Sequence, residues 1–309
     1  MRENHEIAHR SRPERHKSVR RFAIAGNEVE ASPLASGLHL VATPIGNLRD
    51  ITLRALEVLA SADVIACEDT RVTRKLLDHY AIATPLTPYH EHNAAAARPK
   101  LLARLAAGES VALVSDAGTP LISDPGFKLV RAAREAGHMV TAVPGASAAL
   151  AALIVAGLPS DRFFFEGFLP AKEGQRRARI AELARIPATL VLFESGPRLS
   201  RTLADLAAGL GAREAAICRE LTKIHEEVRH GELAQLAHDY ANGAETRGEI
   251  VIVIAPPSAE AGAVDADTID ALLRRALDRA SVKDAVGEIA AATGRPRREI
   301  YQRALALKQ

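Results

Sequence analysis

The chain has only two cysteines, Cys67 and Cys218, among its 309 residues. Neither belongs to a C-x-x-C pair, and no cluster of histidines accompanies either one. A disulfide framework or a structural zinc site needs more cysteine or histidine than this, so we expect neither. The sequence predicts two reduced thiols at strand positions and no metal site.

Long apolar runs are missing as well. No stretch of about 18 apolar residues occurs, so the sequence predicts no membrane span and no membrane partner. The N-terminus lacks the apolar core of a secretory leader, which favours a cytoplasmic location. With 48% hydrophobic and 25% charged residues, the composition is typical of a soluble globular protein with a sizeable core.

Two common phosphate-binding motifs, G-x-G-x-x-G and G-x-x-x-x-G-K-[ST], are also absent. The sequence therefore indicates neither the dinucleotide fingerprint nor the phosphate cradle of nucleotide hydrolases. A net charge of +2 does not by itself indicate a nucleic-acid-binding protein. Arginine and lysine are nevertheless clustered in residues 1–21, in residues 172–185 and in the C-terminal tail. One such cluster is usually a solvated surface, but three together favour a polyanionic partner.

The chain does contain three loops rich in proline and glycine, each directly after a predicted strand. They occupy residues 43–48, 115–126 and 144–147. In an open α/β sheet, ligands bind beyond the carboxyl ends of the strands, where such loops meet. Each loop alone is also compatible with an ordinary turn, but the three together predict one shared cleft.

The loop after the predicted strand 111–115 is the most informative of the three. Gly118 would let a ligand approach the backbone closely, Pro120 would stiffen the loop, and Asp116 offers a carboxylate at the strand tip. A helix is expected to begin near Asp124, which is a good N-cap residue, with Pro125 in its first turn.

Alternating apolar runs and helical segments predict two α/β units. In the first, strands are expected at 38–43, 63–67, 86–89, 111–115 and 139–143, with helices near 52–61, 70–79, 94–107, 125–137 and 147–156. This alternation predicts a mainly parallel sheet covered by helices on both faces. In the second, strands are expected at 163–165, 189–193, 215–220 and 250–255, an edge strand at 227–231, and helices at 178–184, 199–210 and 233–240.

The domain boundaries follow from changes in composition along the chain. We expect a disordered basic extension over 1–36, an N-terminal α/β domain over 37–157, a C-terminal α/β domain over 158–257, a linker over 258–267 and a small helical domain over 268–309. In the last of these, segments 282–292 and 297–307 resemble a helix-turn-helix, a pattern that plain helical hairpins share.

Five segments resemble a known family. They are ATPIGNLRDIT (42–52), ACEDTR (66–71), SDAGTPLISDPG (115–126), VPGASA (143–148) and FFEGFLP (164–170). In them the chain resembles the ribosomal RNA small subunit methyltransferase I family, within the tetrapyrrole-methylase superfamily. The resemblance runs from about Leu38 to Pro256, does not cover residues 1–36 and covers the tail only loosely. It implies an α/β fold in which two domains enclose a cofactor cleft, plus a small C-terminal helical tail.

The same resemblance implies a function and its partners. The expected reaction is S-adenosylmethionine-dependent 2'-O-ribose methylation of a cytidine in 16S rRNA, at cytidine 1402 in the decoding region. Free 16S rRNA or the 30S ribosomal subunit would be the partner, and the family suggests a homodimer. A tetrapyrrole or corrin methyltransferase and a non-catalytic RNA-binding assembly factor stay open as alternatives, although the polar stretches 68–71 and 219–227 do not suit an apolar trough for a macrocycle.

The resemblance also implies which residues bind S-adenosylmethionine. They lie in the three loops and at strand ends of the second domain, across the cleft. The expected cofactor-binding residues are Pro44, Asp116, Gly118, Thr119, Pro120, Ser147, Ala148, Phe193, Glu194, Leu221 and Gly248.

The catalytic candidates are Lys223, Glu220 and Arg71. A ribose 2'-hydroxyl is a very weak acid, so a group that accepts or stabilises its proton would help the reaction. Lys223 could depress the pKa of the hydroxyl, or act as a base if buried and partly neutral, and Glu220 or Glu226 could orient it. A salt-bridged surface loop is an equally good interpretation of this stretch.

The substrate-binding candidates come from the second strand end and from the basic clusters. Glu68 and Asp69 are expected at the substrate mouth, with Arg71 on a phosphate, although a helix N-cap at Asp69 or Thr70 is the alternative. The basic residues expected to contact RNA are Arg176, Arg177, Arg295, Arg297 and Arg298.

Overall fold

The computed structural model describes residues 19–123, 126–243, 246–257, 266–293 and 295–307. It begins with a two-stranded antiparallel hairpin of β1 (Arg21–Ile24) and β2 (Asn27–Glu30). The prediction of a disordered extension over 1–36 is therefore wrong for residues 19–36, and residues 1–18 lie outside the described part. Phe22 is only 2% exposed in the first hydrophobic core, and the Ala23 amide donates to the Tyr80 carbonyl at 2.8 Å.

The first sheet is entirely parallel and has five strands. They are β3 (Gly37–Val41), β4 (Val64–Cys67), β5 (Leu86–Pro88), β6 (Ser110–Leu113) and β7 (Val140–Val143), in the order β5-β4-β6-β3-β7. Between them run α1 (Leu53–Ser61), α2 (Thr70–His79), α3 (Ala94–Ala106) and α4 (Phe127–Glu135). The expected start of α4 near Asp124 and Pro125 falls on residues outside the described part. Because the strands are parallel, their carboxyl ends and following loops lie along one edge.

The helix α5 (Ala148–Val155) joins the two halves of the molecule. The sequence assigns it to the first domain, but its buried residues Ala149, Ala152 and Leu153 pack in one cluster with Val191 and Val251 of the second sheet. That assignment is wrong in terms of packing. The helix itself consists only of Leu, Ile, Val and Ala. Its sequence therefore has no polar face that would reveal which sheet it covers.

The second sheet is mixed. Its strands are β8 (Phe163–Phe168), β9 (Thr189–Ser195), β10 (Glu214–Arg219), β11 (Glu227–Glu232) and β12 (Glu249–Ile254), in the order β11-β10-β12-β9-β8. Only the β8–β9 pair is parallel. The helices α6 (Glu173–Leu183), α7 (Gly196–Leu210) and α8 (Leu233–Asn242) accompany it, and a cluster of Leu and Ile side chains forms its core. The predicted edge strand is confirmed as β11.

Three helices follow after residues 258–265, which lie outside the described part together with Gly294. They are α9 (Ala266–Leu277), α10 (Val282–Thr293) and α11 (Arg297–Ala306). Their core is a separate cluster that includes Ile269, Leu273 and Ile300. Within the described ranges, no helix combines the length and the hydropathy needed to cross a membrane.

Candidate active site

Three strand-end loops of the first sheet are hydrogen-bonded to one another. Thr43 and Gly118 exchange two backbone hydrogen bonds, with the amide of Thr43 at 2.9 Å and the amide of Gly118 at 3.0 Å from the partner carbonyl. Thr119 Oγ1 donates to the Ala146 carbonyl at 3.2 Å. The predicted convergence of the loops after β3, β6 and β7 is therefore confirmed.

Gly118 is the residue at which this arrangement most clearly needs glycine. Its φ of +74° lies in the left-handed region, and a Cβ there would stand 3.2 Å from Cγ2 of Ile45. A side chain at this position would be strained and would also press on the neighbouring loop. Backbone therefore borders the cleft here, and a ligand can approach it closely.

A cleft of about 330 Å³ opens between these loops and the second sheet. We call it the main cleft. Its wall combines apolar side chains with a few carboxylates and hydroxyls. The residues that line it are Ile45, Glu68, Asp116, Ala117, Gly118, Thr119, Ile122, Ser123, Ser147, Ala148, Phe168, Phe193, Glu194, Cys218, Leu221, Glu249, Ile250 and Val251.

Most of the expected cofactor-binding residues line the main cleft. These are Asp116, Gly118, Thr119, Ser147, Ala148, Phe193, Glu194 and Leu221, and Glu68 joins them. Pro44 instead lines a neighbouring chamber, and neither Pro120 nor Gly248 borders either space. Gly248 lies against Glu220 instead, since a Cβ at its φ of +99° would lie 2.6 Å from Oε1 of Glu220.

Sequence reasoning missed part of the wall, namely Ile45, Ala117, Ile122, Ser123, Phe168, Cys218, Glu249, Ile250 and Val251. Ile45, Ile122, Ser123 and Phe168 stand inside segments that already carried the family resemblance, so their segments gave a signal. Cys218, Ile250 and Val251 belong to β10 and β12, where apolar residues are buried along the whole strand. Such a strand gives no periodic signal of which side chains face a ligand.

Asp116 lies on the wall of both spaces. The backbone amide of Asp69 donates to its Oδ1 at 2.9 Å, which fixes the carboxylate at the tip of β6. Burial and the charge of Asp116 raise the pKa of the neighbouring Glu68 above its ordinary value. The two carboxylates thus form an electronegative patch in the main cleft.

Asp69 and Arg71 form a cap at the start of α2. Asp69 accepts from the Arg71 amide at 2.8 Å and from its guanidinium at 2.6 Å. Hydrogen bonds from the Arg71 side chain and backbone lower the pKa of Asp69 to about 2. Neither residue lines the main cleft or the neighbouring chamber, so the N-cap interpretation is confirmed for Asp69, and the expected contact of Arg71 with phosphate stays a prediction.

Lys223 is held between two carboxylates, since its Nζ lies 2.9 Å from Glu220 Oε1 and 2.8 Å from Glu249 Oε2. Partial burial lowers the pKa of Lys223, but the hydrogen bonds to Glu249 and Glu220 outweigh it and raise the pKa above its ordinary value. These contacts favour a charged Lys223 over a partly neutral base, and the catalytic role of Lys223 stays a prediction. A fixed cation remains, and it lines the neighbouring chamber.

The loop that carries Lys223 reaches across to the first sheet. Thr222 Oγ1 accepts from the Asn47 amide at 3.2 Å, and a Cβ on Gly46 would stand 2.5 Å from Cγ of Lys223. Glu220 and Thr222 have φ values of +51° and +67°, a conformation that non-glycine residues adopt at a cost. This contact closes one end of the space between the two sheets.

The basic residues of α6 do not lie in the site. Arg176 is 7% exposed, and its guanidinium lies 2.6 Å from Asp205 Oδ2 on α7. Arg177 also donates to Asp205, at 2.8 Å, although its side chain is largely exposed. The prediction that Arg176 contacts RNA does not agree with this burial, because its charge is already paired inside the second core. In the tail, Arg295 pairs with Glu299, while Arg297 and Arg298 are exposed.

Residues 37–237 match the family described as Tetrapyrrole (Corrin/Porphyrin) Methylases, and residues 262–308 match the RsmI C-terminal HTH domain. The chain is 53% identical to "Ribosomal RNA small subunit methyltransferase I" of Mesorhizobium japonicum, covering 92% of this chain and 97% of the relative. The chain belongs to the ribosomal RNA small subunit methyltransferase I family. A second member, from Erythrobacter litoralis, is 52% identical over 90% of this chain and 98% of its own length.

A solved structure shares the fold of this methyltransferase I family member. It is uroporphyrin-III C-methyl transferase from Thermus thermophilus, complexed with S-adenyl homocysteine. The two chains are 22% identical, the match covers 70% of this chain and 96% of the other, and the TM-score is 0.50. At this identity the likeness concerns the fold alone, and it agrees with the expected α/β architecture.

Proposed function

We propose that this protein transfers a methyl group from S-adenosylmethionine to the 2'-hydroxyl of a cytidine in the 16S rRNA of the small ribosomal subunit. The observation that carries the proposal is the main cleft, whose wall contains most of the residues that the family resemblance assigns to the cofactor. Membership of the ribosomal RNA small subunit methyltransferase I family supports rRNA as the substrate. The 2'-oxygen, the cytidine and the position within the rRNA are the finer part of the proposal.

The main cleft fits S-adenosylmethionine in size and chemistry. Its volume of about 330 Å³ is within the usual range for small-molecule sites. Ile45, Leu221 and Val251 give apolar surface for the adenine and the carbon chain. Asp116 and Glu68 offer carboxylates to a cofactor that carries positive charge, and the bare backbone at Gly118 admits it closely.

When bound, S-adenosylmethionine supplies a methyl group on a positively charged sulfur. The residues of the chain then have to orient the incoming ribose and exclude water, and such positioning alone removes a large part of a barrier. Lys223, fixed by Glu220 and Glu249, would stabilise negative charge that develops on the hydroxyl oxygen. Asp116, which borders both spaces and is fixed by the Asp69 amide, would accept a hydrogen bond from that hydroxyl.

Methyl transfer to RNA is tested with labelled S-adenosylmethionine, 16S rRNA and 30S particles. A 2'-O-methyl group removes the nucleophile of alkaline cleavage, so label in an alkali-resistant dinucleotide that contains cytidine supports the proposal. Label in an alkali-sensitive product would indicate base methylation instead. RNA binding without label would favour an assembly factor, and label transferred only to a tetrapyrrole would favour the corrin alternative.

The cofactor assignment is tested separately on Asp116. Asp116→Ala should weaken S-adenosylmethionine binding by about 1–3 kcal/mol, the usual cost of losing a hydrogen-bond partner in a closed site. Asp161→Ala is a suitable control, because Asp161 is an exposed residue that lines neither space. Equal dissociation constants for Asp116→Ala and the parent in calorimetry would contradict the assignment.

A further inference from the structure

The neighbouring chamber that Pro44 and Lys223 line adjoins the main cleft and has a volume of about 260 Å³. We call it the second chamber. It lies between the loop 43–48, the helix α2 and the loop that carries Lys223. The two spaces share four wall residues, Ile45, Asp116, Ala117 and Glu249. A molecule in the second chamber would therefore meet a cofactor in the main cleft at this shared wall.

Two apolar side chains of the second chamber are partly exposed. Leu48 and Val72, which both line it, are 37% and 40% exposed. They come from different elements, the loop after β3 and the helix α2. Exposed apolar side chains that border one space are the type of surface between which a nucleobase stacks once it has left its helix.

Positive charge accompanies these apolar walls. Lys75 lines the second chamber, is exposed, and has no ion-pair partner among the residues that the structure describes. Lys223 lines it as well, but its charge is fixed by Glu220 and Glu249. A lysine without a carboxylate partner beside an apolar pocket suits the phosphate of a nucleotide, because phosphate contacts position the chain and need only a point charge.

We propose that the second chamber is the subsite for one nucleoside of the RNA substrate. The base lies between Leu48 and Val72, the adjoining phosphate lies on Lys75, and the ribose sits at the wall shared with the main cleft, where its 2'-hydroxyl meets Asp116. The inference rests on the proposed function and deepens it, because it requires the target nucleotide to leave its stack and enter a pocket of its own. The charge and the apolar wall together favour a single-stranded or flipped-out nucleotide over a duplex surface.

The chain has no tryptophan, which gives a direct test of occupancy. Leu48→Trp introduces one indole at the wall of the second chamber. A short RNA with a single cytidine, added in the presence of S-adenosylhomocysteine, should quench its fluorescence in a saturable way. Met139→Trp is the control. Met139 is 45% exposed but lies at the amino end of β7, whereas the second chamber lies beyond the carboxyl ends of the strands. Unsaturable or equal quenching in both variants would overturn the proposal.

A second variant measures the same subsite through turnover. Val72→Trp should fill the second chamber and raise KM for RNA by roughly tenfold to a hundredfold, the range expected when a stacking site for a base is lost. The dissociation constant for S-adenosylmethionine should stay within about twofold of the parent, because Val72 does not line the main cleft. Unchanged KM in a variant that still binds the cofactor would overturn the proposal.

The two experiments separate this inference from the proposed function. If the parent transfers no methyl group to RNA but the Leu48→Trp variant is quenched by it, the nucleoside subsite stands and the proposed reaction fails. If the parent methylates RNA but neither variant responds, the reaction stands and the subsite is wrong. Should Leu48→Trp lose cofactor binding, the KM of Val72→Trp for RNA decides the subsite by itself.

Discussion

Gly46 and Lys223 touch across the space between the two sheets, although 177 positions separate them in the chain. A Cβ added to Gly46 would lie 2.5 Å from Cγ of Lys223 and 2.9 Å from Oγ1 of Thr222. Cγ is close to the backbone of Lys223, and its Nζ is held by Glu220 and Glu249, so this side chain cannot move away freely. The absence of a side chain at position 46 is thus what lets the two halves meet.

Gly46→Ala should destabilise the protein by about 1–3 kcal/mol, the usual cost of overpacking a closed contact. Lys223→Ala removes Cγ, so the double variant Gly46→Ala/Lys223→Ala should recover part of that loss. Urea unfolding of the parent, both single variants and the double variant measures the coupling, which is commonly about 0.5–3 kcal/mol for residues in contact. Strictly additive effects would contradict the contact.

The ion triad of Lys223, Glu220 and Glu249 should stabilise the fold over a wide pH range. The raised pKa of Lys223 means that its contribution is complete below the ordinary value of 10.5 and is lost as the pH rises through the folded pKa. Burial raises the pKa of Glu220, but hydrogen bonds from the Glu249 backbone and from Lys223 outweigh this and lower it. Its contribution is therefore complete above the ordinary value of 4.5 and lost as the pH falls through the lowered pKa.

The stability difference between the parent and Lys223→Met should accordingly be constant from pH 4.5 to pH 10.5 and shrink on both sides. Denaturant unfolding at several pH values measures it. Lys100→Met, at an exposed position of α3, should show no such window. If the stability difference already declines between about pH 6 and about pH 9, Lys223 loses its proton in that range. This result would support the interpretation of Lys223 as a base.

Arg176 and Arg177 provide a matched pair, since both donate to Asp205 but only Arg176 is buried. Arg176→Ala should cost about 3–5 kcal/mol, because it leaves the Asp205 carboxylate without its buried partner. Arg177→Ala should cost at most about 1 kcal/mol, as for an exposed ion pair. Equal losses in thermal or urea unfolding would contradict the distinction.

The fold of the first sheet could be predicted well from the sequence, and the packing at its two ends could not. Short buried runs such as Val111–Val114 followed by proline and glycine reveal both the strands and the loops that bind a ligand. The hairpin β1–β2 has only weak signals, namely Phe22 and Ile24 in alternation before a turn at Gly26, and the surrounding charges mask them. The helix α5 is apolar on all sides, so its sequence cannot say which sheet it covers.

The candidate site divides in the same way. Loops that follow parallel strands can be recognised from their proline and glycine content, which is why Asp116 and Gly118 could be assigned. The environment of Lys223 could not, because its two carboxylate partners come from different strand ends and one of them, Glu249, is 26 residues away. Whether a lysine is a base or a fixed cation depends on such neighbours.

The packing of the hairpin β1–β2 leads to a prediction about the stability of the protein. Phe22→Ala should destabilise the protein by about 3–5 kcal/mol, the usual cost of removing a buried phenyl ring, since Phe22 is 2% exposed. Phe163→Ala should cost much less, because Phe163 is 44% exposed at the start of β8. Deletion of residues 1–36 should therefore impair folding. A protein without these residues that kept the melting temperature of the parent would contradict this packing.

Arg297 and Arg298 are the residues of the tail that we expect to contact RNA most directly. Both are exposed, and neither has an ion-pair partner among the described residues, whereas Arg295 already pairs with Glu299. Each phosphate contact that is lost should flatten the slope of log affinity against log salt by roughly 0.7 to 0.9 units. The double variant Arg297→Ala/Arg298→Ala should therefore bind 16S rRNA more weakly and with a shallower slope, and S-adenosylmethionine with unchanged affinity. Lys128→Ala/Arg134→Ala on α4 is a control with the same loss of charge at exposed residues of another element. If both double variants flatten the slope equally, the effect reflects overall charge, and the tail has no specific role in holding RNA.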